Sequence, residues 1–194
     1  MSELLPDDED NNIQRNTETI NTIEIPKTYT LLQKFLAEVI ATTFFLFLAI
    51  GIGVFIHDKF FISCLGGGLA LTIFIYVFGR ISGCHVNPAV SIPMFILGKL
   101  TLVELLLYLV AQIFGAFLAC GIIGLLRKGK FDELGATQIN PQYIADKETL
   151  SYFTALFCEI ILTSLLVLVV YSSGIKNNNF GNLTGIVVGI TLAC

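Results

Sequence analysis

The architecture of this chain depends on the segment Gly79-Arg-Ile-Ser-Gly-Cys-His-Val-Asn-Pro-Ala-Val-Ser-Ile-Pro-Met-Phe-Ile-Leu-Gly98. It is apolar, but it is too short and too interrupted to cross a bilayer. Asn87 can cap free helix amides and Pro88 suits the first helical position, so a short helix is predicted to begin at Pro88. Non-helical backbone at membrane depth must be buried in protein or line water, so segment 79–86 predicts a pore loop beside a cavity. An ordinary connection with an interfacial helix fits the local composition equally well.

The rest of the chain is made of long apolar runs. Its residues are 55% hydrophobic and 13% charged, with a mean hydropathy of +0.80, which excludes an ordinary soluble domain. Helical runs long enough for a hydrocarbon layer of about 30 Å are predicted at 36–56, 60–78, 105–126 and 150–171. A fifth run, 183–194, is shorter. The fold class is therefore an all-α polytopic membrane protein, multi-pass in its lipid bilayer.

The charges and the cysteines exclude several other functions. Residues 1–30 form an acidic, polar segment that is predicted to be a solvated, disordered tail and not a signal peptide. The remainder is nearly neutral, so nucleic acid is not an expected partner. Two distant histidines and five unpaired cysteines give no metal site, disulfide framework or pairing of nucleophile and base, so we expect no enzyme and no cofactor.

An internal repeat favours the pore-loop interpretation. The sequence Ala37-Glu38-Val-Ile-Ala-Thr-Thr matches Cys158-Glu159-Ile-Ile-Leu-Thr-Ser in register, 121 residues further along. Three spans separate the two glutamates, so the halves are predicted to lie in opposite orientations, which places a site at the midplane where broken helices meet. The predicted organisation is a first repeat over 31–130, a connecting loop over 131–149 and a partial second repeat over 150–194.

The segment Ser82-Gly-Cys-His-Val-Asn-Pro-Ala-Val90 resembles the first pore loop of the major intrinsic proteins, the aquaporins and aquaglyceroporins. Supporting features are Ala37-Glu38, the glycines 66–68, Glu159 and Gly185-x-x-x-Gly189. The resemblance implies an inverted-repeat bundle of six spans and two half-helices that meet head to head. It also implies a channel for water or small neutral solutes such as glycerol, in an assembly that is usually a homo-tetramer, with the N-terminus in the cytoplasm.

The resemblance also implies roles for individual residues. The carboxamide of Asn87 would donate to permeating molecules, and the backbone carbonyls of Gly83, Cys84 and His85 would accept from them. Pro88 and Ala89 complete the pore-lining motif. Gly67, twenty positions before Asn87, would face the channel and leave its filter wide on that side. Glu38 and Glu159 would hold loops within the bundle. A thiol reagent is expected to react with Cys84 first.

The departures from the family pattern define a second hypothesis. The second Asn-Pro-Ala, its following arginine and a sixth span are missing, because the equivalent asparagine would fall near residue 208. Pro93 is expected to kink or shorten the half-helix. The alternative function is therefore a truncated, non-conducting family member or a gene remnant, which at most associates with full-length homologues.

Overall fold

The computed structural model describes residues 28–55, 60–131, 148–174 and 181–194. Within these ranges the secondary structure is helical: α1 (Leu31–Phe55), α2 (Phe60–Ser82), α3 (Pro88–Ile96), α4 (Leu102–Leu126), α5 (Glu148–Ser173) and α6 (Thr184–Ala193), the last preceded by a 3-10 turn at Gly181–Leu183. The all-α fold class is confirmed. Most of the predicted tail (1–30) and of the predicted connecting loop (131–149) lies outside the described residues.

Four of these helices, α1, α2, α4 and α5, are long and apolar enough to cross a membrane. Helix α4 begins at Leu102 and not at 105, because Thr101 and Glu104 form a reciprocal capping box at its start. Helix α2 runs to Ser82, so the prediction that residues 79–82 are non-helical is wrong. Gly83 N still bonds to Gly79 O at 3.0 Å, and the helix breaks only where Gly83 adopts a φ of +90°.

The bundle is built around α1 and α2. Helix α1 packs against α2 and α4, α2 packs against α6, and α3 lies against α4 and α5. At the contact of α2 with α6, an added Cβ on Gly189 would overlap Thr72 Oγ1 and the carbonyl oxygen of Gly68. The Thr72 hydroxyl donates across the contact to Gly185 O at 3.2 Å. Small residues thus let these two backbones approach closely.

The α1–α4 contact combines tight packing with buried polar groups. A Cβ on Gly115 of α4 would lie 2.9 Å from both Thr42 Cβ and Val39 O of α1. Near the starts of the two helices, Lys34 forms an ion pair with Glu104. One helical turn further into α1, Glu38 is completely buried, although it is an acid in an apolar span. Intramembrane acids need a buried partner, so the residues around Glu38 are expected to donate hydrogen bonds to it.

Candidate functional site

The candidate site begins with an irregular turn between α2 and α3. After Ser82 the backbone is non-helical through Val86, and Asn87 leads into α3. Besides Gly83, Cys84 (φ +52°) and Val86 (φ +46°) adopt left-handed conformations. Such a φ is uncommon for residues other than glycine and is an outlier for a β-branched residue. A backbone of this kind persists only where its surroundings hold it in place.

The carboxylate of Glu38 holds this turn. Its Oε1 accepts from Ser82 Oγ at 2.6 Å and from His85 N at 2.9 Å. Its Oε2 accepts from Val86 N at 2.8 Å and from Gln112 Nε2 at 3.1 Å. Hydrogen bonds to a charged acceptor are stronger than neutral ones. Four donors therefore solvate a carboxylate that has no access to water.

Ser82 and Tyr108 connect the turn to α2 and α4. The Ser82 hydroxyl donates to Glu38 and accepts from Cys84 N at 3.0 Å. Tyr108 of α4 is fully buried and donates to Ser82 O at 2.6 Å. Its ring also meets the His85 imidazole edge-on, with centroids 5.3 Å apart. The end of α2 is thus fixed from two sides, which places the turn against the α1–α4 contact.

Gln112 of α4 connects the carboxylate to the short helix α3. Its Nε2 donates to Glu38 Oε2 and, at 2.9 Å, to Ser91 Oγ. The Ser91 hydroxyl donates to Asn87 O at 3.3 Å and lies 3.2 Å from His85 Nδ1. The sequence predicted no individual role for Ser82, Ser91, Tyr108 or Gln112. The available signal was the presence of a glutamine and a tyrosine within the predicted span 105–126.

Asn87 caps α3, and the predicted start of a short helix at Pro88 is confirmed. The Asn87 backbone is extended (φ −149°, ψ 128°), and its Oδ1 accepts from Ala89 N at 2.9 Å. Capping uses the carboxamide oxygen, so the NH₂ group keeps its two donors. Pro93 lies inside α3 and cannot donate to Ala89 O, yet the helix continues to Ile96. Pro93 therefore does not end the helix at its own position.

A cavity of about 460 Å³ adjoins the turn. Four of the predicted pore-lining residues line it together: Gly83, Cys84, His85 and Asn87. Its buried residues include Val86, Val90 and Met94, and its exposed ones include Arg80 and Lys99. The cavity thus joins the exposed side chains of Arg80 and Lys99, which we call its mouth, to the capping Asn87.

The other predicted site residues lie elsewhere. Ala89 lines a second groove, between α3 and α5, and Glu159 lies exposed in the same groove. Gly67 is buried on α2, where an added Cβ would lie 3.7 Å from Ala49 Cβ of α1, and it is not among the residues that line the cavity in the described part of the chain. Pro88 is exposed on the first turn of α3. All of the predicted roles stay predictions: pore lining by Gly67, Gly83, Cys84, His85, Asn87, Pro88 and Ala89, and loop anchoring by Glu38 and Glu159.

The position of Cys84 bears on the expectation about thiol reagents. Cys84 lines the cavity but is only 4% exposed, whereas Cys158 and Cys194 are exposed. A thiol must be accessible as well as ionised to react quickly. The burial of Cys84 is therefore unfavourable to the expectation that it reacts first.

Helices of membrane-spanning length surround the turn and the short helix α3, which starts at the cavity. This arrangement defines a multi-pass membrane protein built on an aquaporin-like bundle. The chain belongs to the major intrinsic protein family, whose model matches residues 26–194. It is 34% identical over 169 residues to a probable NIP-type aquaporin of Nicotiana alata, and 32% identical over 187 residues to nodulin-26 of Glycine max.

These matches cover a larger share of this chain than of the relatives. They cover 84% and 93% of this chain, but 58% and 66% of the two relatives, so the chain spans about three fifths of their length. Among solved structures, the aquaglyceroporin from Plasmodium falciparum matches with a TM-score of 0.72 and 29% sequence identity. That match covers 85% of this chain and 71% of the other.

Proposed function

We propose that this chain forms a membrane channel, or the greater part of one, for water or small neutral solutes such as glycerol. The observation that carries the proposal is the state of Asn87. Its oxygen is committed to the cap of α3, and its NH₂ donors remain available at the cavity. A passing molecule that loses water could accept from Asn87 and donate to the backbone carbonyls of Gly83, Cys84 and His85. Such an exchange of hydrogen bonds needs no chemical step and no cofactor.

The charge pattern supports neutral permeants. The N-terminus of a helix carries roughly half a positive charge, and α3 begins where the cavity ends at Asn87. A positive helix end opposes cations and protons. In this proposal Gly67, Pro88 and Ala89 complete the pore lining, and Glu38 and Glu159 anchor the loops of the two halves. Relatives named aquaporin and nodulin-26 add to the support for this class of permeant.

We further propose that the N-terminus and the cavity mouth face the cytoplasm and that the chain assembles with copies of itself, as a homo-tetramer, or with longer relatives. The outer face of α4 supports the assembly, because it exposes large apolar side chains that need lipid or a neighbouring subunit, such as Phe114 and Phe117. Mass measurement in detergent micelles, corrected for the bound detergent, tests the assembly, and protease access to the tail in sealed vesicles tests the orientation.

Proteoliposomes test the conduction. We expect stopped-flow light scattering to show faster osmotic shrinking than in protein-free vesicles, and glycerol to enter faster as well. Permeability equal to that of empty vesicles would overturn the proposal and favour the non-conducting alternative. Co-purification with a longer relative, combined with no transport by the chain alone, would identify it as a subunit.

A further inference from the structure

The mouth of the cavity carries an excess of positive charge. Arg80, in the last turn of α2, and Lys99, just after α3, both line the cavity and are both exposed. No aspartate or glutamate is among the lining residues in the described part of the chain. Over those same residues, the ion pair found is Lys34 with Glu104, so neither Arg80 nor Lys99 has a carboxylate within 4.0 Å.

We propose that this mouth binds a small oxyanion, a phosphate group, between Arg80 and Lys99. The two side chains supply complementary contacts. The planar guanidinium of Arg80 can hold two oxygens of a phosphate at once, and the ammonium of Lys99 acts as a compact point charge. A carboxylate in the cavity wall would compete with phosphate for these cations, and none is present among the described lining residues.

The side chain of Lys99 is held in place by an aromatic ring and not by a carboxylate. Its Nζ lies 5.7 Å from the centre of the Tyr171 ring, near the end of α5. An aromatic face attracts an ammonium but accepts none of its three N–H groups in the way a carboxylate does. The donors of Lys99 therefore remain available for an anion, while the ring limits the movement of the side chain.

The inner end of the cavity is also positive. Beyond the mouth the cavity leads to Asn87 and to the positive end of α3. An anion at the mouth thus meets Arg80 and Lys99 first and, further into the cavity, the positive end of α3. The binding of phosphate does not depend on conduction, so this inference can fail or succeed separately from the proposed function.

Thermal unfolding of the purified full-length chain with inorganic phosphate tests the site. We expect saturable stabilisation that exceeds the effect of chloride at equal ionic strength. Arg80→Gln and Lys99→Gln should each weaken the apparent phosphate affinity about tenfold, and the double variant should abolish the effect. Lys130→Gln is the matched control, because Lys130 is exposed and does not line the cavity. Equal unfolding temperatures of all variants without phosphate show that they are folded.

Nanodiscs separate a free phosphate from the phosphate of a lipid headgroup. Titration in phosphatidylcholine discs should retain the effect of inorganic phosphate. If anionic phosphatidylglycerol removes that effect in the wild type, the headgroup occupies the site; if it does not, the ligand is the free anion. Either result supports the site. Stabilisation that is absent, that chloride reproduces, or that survives in the double variant would overturn the proposal.

Discussion

Val86 of the turn donates its backbone N–H to Glu38 of α1 across 2.8 Å, although 48 residues separate the two in sequence. The bond is made by a β-branched residue in a left-handed conformation, with a φ of +46°. A buried carboxylate and an unfavourable backbone thus stabilise each other. Neither is favourable alone, because the acid needs donors and the turn needs an acceptor.

Replacement of Glu38 by glutamine should strongly destabilise the bundle. Each carboxylate oxygen of Glu38 accepts from two donors. A glutamine would replace one of these oxygens by an NH₂ group, so two buried donors would lose their acceptor. We expect a loss of about 2–4 kcal/mol in the free energy of unfolding, measured by reversible denaturation in mixed micelles. Glu104→Gln is the control, since its ion pair with Lys34 is partly exposed and should cost about 1 kcal/mol. Equal losses for both variants would contradict the role assigned to Glu38.

Gly83→Ala should also destabilise the protein, for a reason that concerns the backbone. Gly83 has a φ of +90°, and an added Cβ would lie 3.0 Å from His85 Nε2. We expect a loss of about 1–3 kcal/mol, measured in the same denaturation assay. In Gly121→Ala the new methyl group meets nothing within 4 Å. That control should be neutral or slightly stabilising, because alanine favours a helix.

The α2–α6 contact predicts a further pair of variants. Gly189→Ala would push its methyl group into Thr72 and the Gly68 carbonyl, so α6 should separate from α2. Disulfide trapping between cysteines introduced on the two helices should become markedly slower. Gly53→Ala should leave the trapping rate unchanged, because its new Cβ lies at an ordinary 3.7 Å from Ser63 Oγ. Unchanged trapping in Gly189→Ala would show that the contact tolerates the added volume.

Two variants of Asn87 separate its capping function from its donor function. Asn87→Ser keeps a good cap, so its unfolding free energy should stay within about 0.5 kcal/mol of the wild type. Osmotic water permeability should nevertheless fall severalfold, because the carboxamide donors are gone. Asn87→Ala removes both and should also cost about 1 kcal/mol in stability. Wild-type permeability in the serine variant would exclude Asn87 as the donor to permeants.

The sequence predicted the helices and the start of α3 because those features have local causes. Length and hydropathy define the spans, and Asn87-Pro88 combines a cap with a residue that needs no N–H donor. The contacts of Glu38 with Gln112 could not be predicted in this way, since they join residues 74 positions apart. The sequence could not predict which way Gly67 faces either. In a membrane span the lipid-facing and protein-facing sides are both apolar, so the sequence pattern does not show how a helix is rotated.

The order in which the chain is synthesised gives the Glu38 carboxylate a further consequence. Its donors on Ser82 and Gln112 leave the ribosome 44 and 74 residues after it. A nascent α1 therefore carries this acid before its partners exist. Three of the four donors, on Ser82, His85 and Val86, precede α4 in the chain, and only Gln112 arrives with it. The order of synthesis thus completes the solvation of Glu38 in two stages, first by the turn and then by α4.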